Sequence, residues 1–380
     1  MAPTRRPGAP PLVTIDVSPA YELLKSILTV VEHEEAESYD IDIGPEWIAE
    51  ARSRAGDELL ERINRVAHGN PDTFIHLMGL VWDTPAPRTI PAFLDHLRQT
   101  DADEIRLHLV QFYSRDARRQ TPPDVMRAAL AGDAEAQAEF LRTSYPEYEP
   151  WSEFLRALFA ADPEASKAEL IAVLEEWAER VWKPESLTIQ PIIERDAEAK
   201  RELVRDLPLD RFITTATNGV EFEPRPGTER VVMVPSFVGR PLVTWAEIGD
   251  TILINYPVAD ESVTAETDAP PLRLVRLSKA LGDEKRLRIL RALSDGEKSL
   301  MELAEMFGVA KTTMHHHMIV LRTAGLISVV VGTKRYRLRH ETVPDVAALL
   351  SGYLGAAPGP SAASRSPAPT RRRRRTGTEG

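Results

Sequence analysis

The stretch from Ser299 to Leu338 holds the residue types and spacings that could do chemistry, and that chemistry is recognition of a polyanion. Met314, Met318 and Leu321 recur at helical spacing, which puts Lys311, Thr312, Thr313, His315 and His316 on the outer side of the same helix, in its first two turns. Cations, hydroxyls and imidazoles at the N-terminal end of an exposed helix are the groups that reach base edges in a DNA major groove. A second group follows. Ile327, Val329 and Val331 alternate as one strand, Tyr336 and Leu338 as its return, and Gly332-Thr333-Lys334 forms the turn. Thr333, Lys334, Arg335 and Arg337 gather at that tip, where phosphate or minor-groove contact is the better reading than mere solubility. His317 lies on the apolar side and reads as a packed, hydrogen-bonded structural histidine. Arg371–Arg375 is either a phosphate clamp or a sticky tail without sequence preference, since each neutralised phosphate adds about 0.9 to the salt slope.

These groups need a scaffold, and the sequence signposts one. Ser299-x-x-Glu302 is a capping box. Leu300, Leu303, Ala304 and Phe307 make one apolar stripe, and Gly308 is placed to close the helix. Two short helices parted by Gly308-Val309, then a hairpin, are the pattern of a winged helix-turn-helix. Two more helices precede it between Leu272 and Leu293. The block Leu281-Gly282-Asp283-Glu284-Lys285-Arg286-Leu287-Arg288-Ile289-Leu290, with the run from Met314 to Ile327, resembles the ArsR/SmtB family of bacterial transcription factors, over about residues 272–354.

That resemblance implies a homodimer that binds double-stranded DNA at a palindromic operator, as a repressor or an activator, with half-sites about one DNA turn apart. It also implies a dimer interface built from the first and last helices of the domain, here Leu274, Leu277 and Leu281 with Val346, Leu349, Leu350 and Tyr353. The chain departs from the pattern in three places. It has no cysteine, and its last helix offers Asp345 without a histidine, so no metal or other cofactor is expected. Ala310 stands where a Ser or Thr cap is usual, at a cost of about 1 kcal/mol. Ile319 and Thr323 stand where charged residues are common, which points to a surface that something covers.

The net charge of −11 is wrong for a DNA binder until it is divided. Residues 272–380 carry 20 Lys and Arg against 9 Asp and Glu, a net of +11, which leaves 27 against 49, a net of −22, for residues 1–271. A basic module is joined to a strongly acidic one. No apolar run is long enough for a membrane span, and a cytoplasmic protein is expected.

The rest of the chain reads as mainly α with small β elements. Residues 1–11 form a Pro-rich leader expected to be disordered. Residues 12–257 form a helical domain, an effector or dimerisation unit, with a β-rich end from about 207 to 257. Residues 258–271 are a polar linker, and 355–380 a disordered Arg-rich tail. Leu12 to Val17 alternates as a strand, Ser18-Pro19 opens a helix, and further helices are expected at 45–66, 73–82, 90–100, 103–114, 123–131, 134–143, 151–160 and 166–182. In the β-rich end, Phe212–Thr215, Val220–Phe222, Arg230–Val234 and Thr251–Tyr256 read as strands of a small antiparallel sheet, with Asn218-Gly219 as a hairpin turn.

The sequence offers this domain only loose candidates for a site. Pro235-Ser236-Phe237 follows an apolar strand, and Trp82, Phe112, Trp245 and Tyr256 could line a pocket for an unknown small-molecule effector or could simply be core. His33, His68, His76, His96 and His108 fall on separate helices and make no ligand set. No G-x-S-x-G, H-E-x-x-H, P-loop or G-x-G-x-x-G occurs, so no motif stands behind an enzyme. A regulator is the reading that results; an enzyme, or a protein-interaction module with the winged helix as tether, is the alternative.

Overall fold

The computed structural model describes residues 10–32, 41–111, 114, 121–145, 148–222, 226–263, 270–331 and 335–355. The leader residues before 10, the wing turn at 332–334 and the tail from 356 lie outside them, and so do His33 and Phe112. The described chain is mainly helical with two small four-stranded sheets.

The organising element is the helix Pro19–Val31. Ser18 caps it, its hydroxyl accepting the N–H of Ala20 at 3.3 Å, and Pro19 occupies the first turn. Its apolar stripe would account for one buried face, yet every residue from Ala20 to Val30 is buried, Glu22 and Lys25 included. Helices Gly44–Val66, Ile90–Gln99, Ala102–Leu109 and Pro163–Trp177 pack with it into the main core. Trp177 Nε1 donates to Ser26 Oγ at 2.9 Å, giving an indole N–H its partner inside that core. The segment expected as one helix at 73–82 is two, Thr73–His76 and Met78–Asp83. A long helix, Lys183–Asp206, was hidden by its prolines. Pro191 lies inside it, but Pro191 and Leu187 are both exposed, so the turn where proline removes a hydrogen bond is not sealed in the core.

Eight strands follow in chain order: β1 (Leu12–Ile15), β2 (Val220–Phe222), β3 (Arg230–Ser236), β4 (Thr244–Ile248), β5 (Thr251–Pro257), β6 (Lys298–Ser299), β7 (Ile327–Val331) and β8 (Arg335–Leu338). The first sheet has the order β1-β3-β5-β4. Its β1, β3 and β5 run parallel and only β4 is antiparallel, so the expected antiparallel sheet is corrected to a mixed one. The physical reason is burial on both faces, which suits parallel strands. Val232, Val234 and Leu253 point into the main core, whereas Val231, Met233, Ile252 and Ile254 point into a second core.

Phe212–Thr215 is helical, within Leu209–Ala216, and not a strand. Its β-branched residues favour a strand, but Phe212, Ile213 and Ala216 recur at helical spacing and bury one face. Asn218-Gly219, with φ of +52° and +115°, makes no hairpin; it leads from that helix into β2. β2 then pairs in parallel with β7, so the second sheet, β2-β7-β8-β6, joins an N-terminal strand to the hairpin near the C-terminus. The start of the expected linker is held in place: Val258 is buried, and Asp196 Oδ1 accepts Ser262 Oγ–H at 3.1 Å and Ala259 N–H at 2.7 Å.

Candidate nucleic-acid interface

The helix Leu300–Phe307 starts as its sequence dictates. Ser299 Oγ accepts the N–H of Glu302 at 3.2 Å, and Glu302 Oε2 accepts the N–H of Ser299 at 2.6 Å. Gly308 ends it in the left-handed region, φ +61°. The next helix, Lys311–Thr323, has Ala310 at its N-cap with no side-chain cap. Met314, Met318 and Leu321 bury its inner face against Leu277, Ile289, Leu293 and Leu303. His317 is packed as expected, but its Nδ1 has no hydrogen-bond partner, which corrects half of that reading. Burial pulls its pKa down, partly opposed by Asp283.

Lys311, Thr312, Thr313 and His315 are exposed and His316 is half-buried. The sequence-selected face therefore exists as one surface at the N-terminal end of the helix. Partial desolvation of its ring, and then the cations Arg322 and Lys311, hold His315 below the ordinary histidine range although its residue is exposed. On the hairpin, Thr333 and Lys334 fall outside the described residues. Arg335 and Arg337 are described and already engaged. Arg335 reaches Glu302 at 3.2 Å, while Arg337 pairs with Glu297 and, at 2.9 Å, with Glu221 on β2.

One flank of this helix is covered. Ile319 and Thr323 are each only 9% exposed, as their apolar and small character suggests. Asn218 is the clasp. Its Nδ2 donates to the carbonyl of Thr323 at 3.2 Å, and its Oδ1 accepts from Arg339 at 3.3 Å. The fit is close: a Cβ on Gly325 would lie 2.6 Å from Asn218 Oδ1, and one on Gly219 2.9 Å from the carbonyl of Ile327. Glu221 accepts from Ser328 Oγ at 2.5 Å. Farther along, Arg276 on the helix Leu272–Leu281 pairs with Asp42, which also lies 3.4 Å from the buried Arg240. Acidic residues of the N-terminal part thus meet cations of the C-terminal part at two places.

The seven residues expected at a dimer interface divide into two sets. Leu277 is fully buried and Leu274 5% exposed, with Leu281, Val346 and Leu349 packed on the same chain's core. Leu350 and Tyr353 are each 46% exposed, beside Leu354 at 67%.

Between the helix Lys311–Thr323 and the N-terminal part lies a cavity of about 480 Å³. Trp245 lines it, as one of the four suggested aromatics; Tyr256 is core, and Trp82 lies under the Arg88 guanidinium at 4.4 Å. Ser236 belongs to the interior, its hydroxyl accepting the N–H of Gly239 at 3.0 Å. Lys25 and Arg322 also line the cavity, and sequence reasoning singled out neither. Both look like surface cations at helical spacing until tertiary packing encloses them. His76, His96 and His108, distant in sequence, are brought near enough for their charges to repel. Burial first, and those neighbours second, push His108 down to about 4. No group of three or more metal-ligating side chains occurs among the described residues, and no helix among them is long and apolar enough to cross a membrane.

Comparison with curated proteins and with solved structures returns no match. Comparison with family models returns one, a bacterial regulatory protein of the arsR family, over residues 283–329. That span begins at the cap of the helix Glu284–Ser294 and ends in β7, so it contains both helices of the helix-turn-helix and the surface made by Lys311, Thr312, Thr313 and His315. Residues 283–329 are an arsR-family regulator domain, which supports a DNA-binding transcription regulator.

Proposed function

We propose that the chain is a sequence-specific repressor that binds a palindromic operator as a homodimer in the cytoplasm, and that its N-terminal part holds DNA affinity down. The observation that carries this is the helix Lys311–Thr323, which presents Lys311, Thr312, Thr313 and His315 outward inside an arsR-family domain. Residues 272–354 are the DNA-binding unit, residues 12–257 the regulatory body, and 258–271 the connection. His316, Thr333, Lys334, Arg335 and Arg337 complete the DNA surface once the wing cations leave their carboxylates. Leu350 and Tyr353 are the apolar groups a second copy covers, supported from behind by Leu274, Leu277, Leu281, Val346 and Leu349. Docking lowers DNA affinity because Glu221 takes Arg337 and the body covers one flank of the reading helix.

The test is fluorescence anisotropy of the full chain on DNA from its own upstream region and on scrambled DNA, over a salt series. A preference of about a thousandfold or more is expected of a specific regulator. Equal binding to both, fading together with salt, would overturn sequence-specific regulation at that site. Leu350→Arg should convert the dimer to a monomer in sedimentation; an unchanged dimer would move the interface elsewhere.

A further inference from the structure

We propose that the cavity between the N-terminal body and the reading helix binds a small apolar anion, such as an aryl or alkyl carboxylate, and that the bound anion locks the body onto that helix and drives DNA off. The effect on DNA rests on the regulator reading above; the binding site does not.

The argument starts from Arg322. It lies on the same helix as Lys311 and Thr312, one turn beyond Met318, is half-buried and lines the cavity. Among the described residues its guanidinium has no carboxylate and no hydrogen-bond acceptor; its titratable neighbours are Tyr336 and His315, neither of them an anion at neutral pH. Every other arginine of the contact between the two parts is paired: Arg276 and Arg240 with aspartates, Arg337 with glutamates, and Arg339 with Asn218. Arginine stays charged when partly buried, and such a charge without a partner is costly. An anion placed in the cavity supplies the missing partner, and the fixed fork of the guanidinium suits a carboxylate or sulfonate.

The remainder of the ligand is fixed by the walls. Trp245, Ile75, Ile319 and Val329 present apolar surface, and about 480 Å³ is the space of a compact organic molecule. Lys25 stands on the opposite wall together with Glu32 and Asp72, which line the cavity there and, with Glu22, offset its charge, so that end does not call for a second anionic group and the anion is placed at Arg322. The chemistry is therefore a monoanion on an apolar frame.

Coupling follows from who owns the walls. Trp245, Ile75 and Lys25 belong to the body, whereas Ile319 and Arg322 belong to the reading helix and Val329 to the wing strand. A ligand that needs both walls binds only the docked form. DNA that enters along the face of Lys311 and His315 favours the undocked one. Two ligands with opposite preferences weaken each other by the same factor.

The test uses the full chain and two fluorescent probes of one shape, anilinonaphthalene sulfonate and the uncharged phenylnaphthylamine. The sulfonate should bind at one site per chain, about tenfold or more tighter than the neutral probe, the gain expected of one charge-assisted contact. Arg322→Met should abolish that preference, and Ile319→Trp, which fills the cavity, should abolish binding of both probes. Saturating sulfonate should lower affinity for the upstream DNA in the wild type and leave it unchanged in Ile319→Trp. Thermal unfolding verifies that each variant is folded, and Ile319→Trp decides the matter if Arg322→Met does not fold. Equal affinity for the two probes, or sulfonate binding unaffected by both variants, overturns the site. Sulfonate binding that obeys Arg322 but leaves DNA affinity unchanged overturns the coupling. Absence of any DNA preference defeats the regulator reading while leaving the probe measurements intact.

Discussion

The N-terminal body and the C-terminal module handle polar groups differently. The body buries them. Glu22 lies inside the main core, accepting the N–H groups of Phe237 and Val238 at 3.0 and 2.9 Å, and Arg106 donates from its buried position to the carbonyls of Leu130 and Leu158, each at 2.9 Å. The module buries fewer of them, His317 and Ser328 among these; its core cluster is aliphatic with Met314 and Met318, and Lys311, Thr312 and Thr313 stand in solvent. A surface built from neighbours three and four apart on one helix is local, so spacing alone displays it. A site built from Lys25, Ile75, Trp245 and Arg322 exists only after residues 25 and 322 have met.

The burial of polar groups in the body extends to a histidine. His108 is 5% exposed and held at about 4, against an ordinary value near 6.5 in the unfolded chain. A depressed imidazole pKa means that the unfolded state binds the proton first. Its stabilising share is complete above about pH 6.5 and declines as pH falls toward 4, by up to about 3 kcal/mol. Urea unfolding at pH 7 and pH 4.5 should therefore show a much smaller acid loss for His108→Gln than for the wild type. His68 and His76, also lowered by burial, retain their share in both proteins. Equal acid losses would mean that His108 is not the sensor.

The module should instead respond in DNA reading. Lys311→Ala with Thr312→Ala removes two exposed groups and leaves the core untouched; His315 is spared because it also borders the cavity. A good base contact is worth about 1–3 kcal/mol of discrimination, so the ratio of operator to scrambled binding should fall while the fold holds. If only the salt slope changes, these residues touch phosphates.

The same contrast explains what the sequence disclosed. The capping box at Ser299, the break at Gly308 and the Met314-Met318-Leu321 face were all legible, because each rests on residues within one or two turns. Ile319 and Thr323 announced a covered surface but not what covers it. The parallel pairing of β3 with β5 and of β2 with β7 was not legible: strand direction is set by which distant element buries each face. Asn218-Gly219 misled for that reason, since a dipeptide suited to a hairpin turn served to join two distant parts. Helix Lys183–Asp206 was lost to Pro191, whose effect depends on whether its face meets water.

The joint itself can be weakened. Asn218→Ala removes two hydrogen bonds across it, to Thr323 and from Arg339, for about 1–2 kcal/mol together. If docking restrains DNA binding, this variant should bind operator several-fold more tightly, with an unfolding midpoint slightly lowered. Tighter binding with a lowered midpoint is the signature of a released clasp; a lowered midpoint with unchanged DNA affinity would show that the body and the module act separately.

The smallest effect lies wholly inside the module. Ala310 has φ −60° and ψ 149°, a cap geometry that serine adopts without strain, and no side chain now meets the first N–H groups of the reading helix. Ala310→Ser should supply that acceptor and raise stability by about 1 kcal/mol. The helix end it firms up carries Lys311, Thr312 and Thr313, so operator affinity should hold or rise slightly while probe binding in the cavity stays constant. A stabilised helix with weakened operator binding would mean that those first N–H groups themselves hold a DNA phosphate, which a helix N-terminus is suited to do. The missing cap would then be part of the DNA surface rather than a local loss.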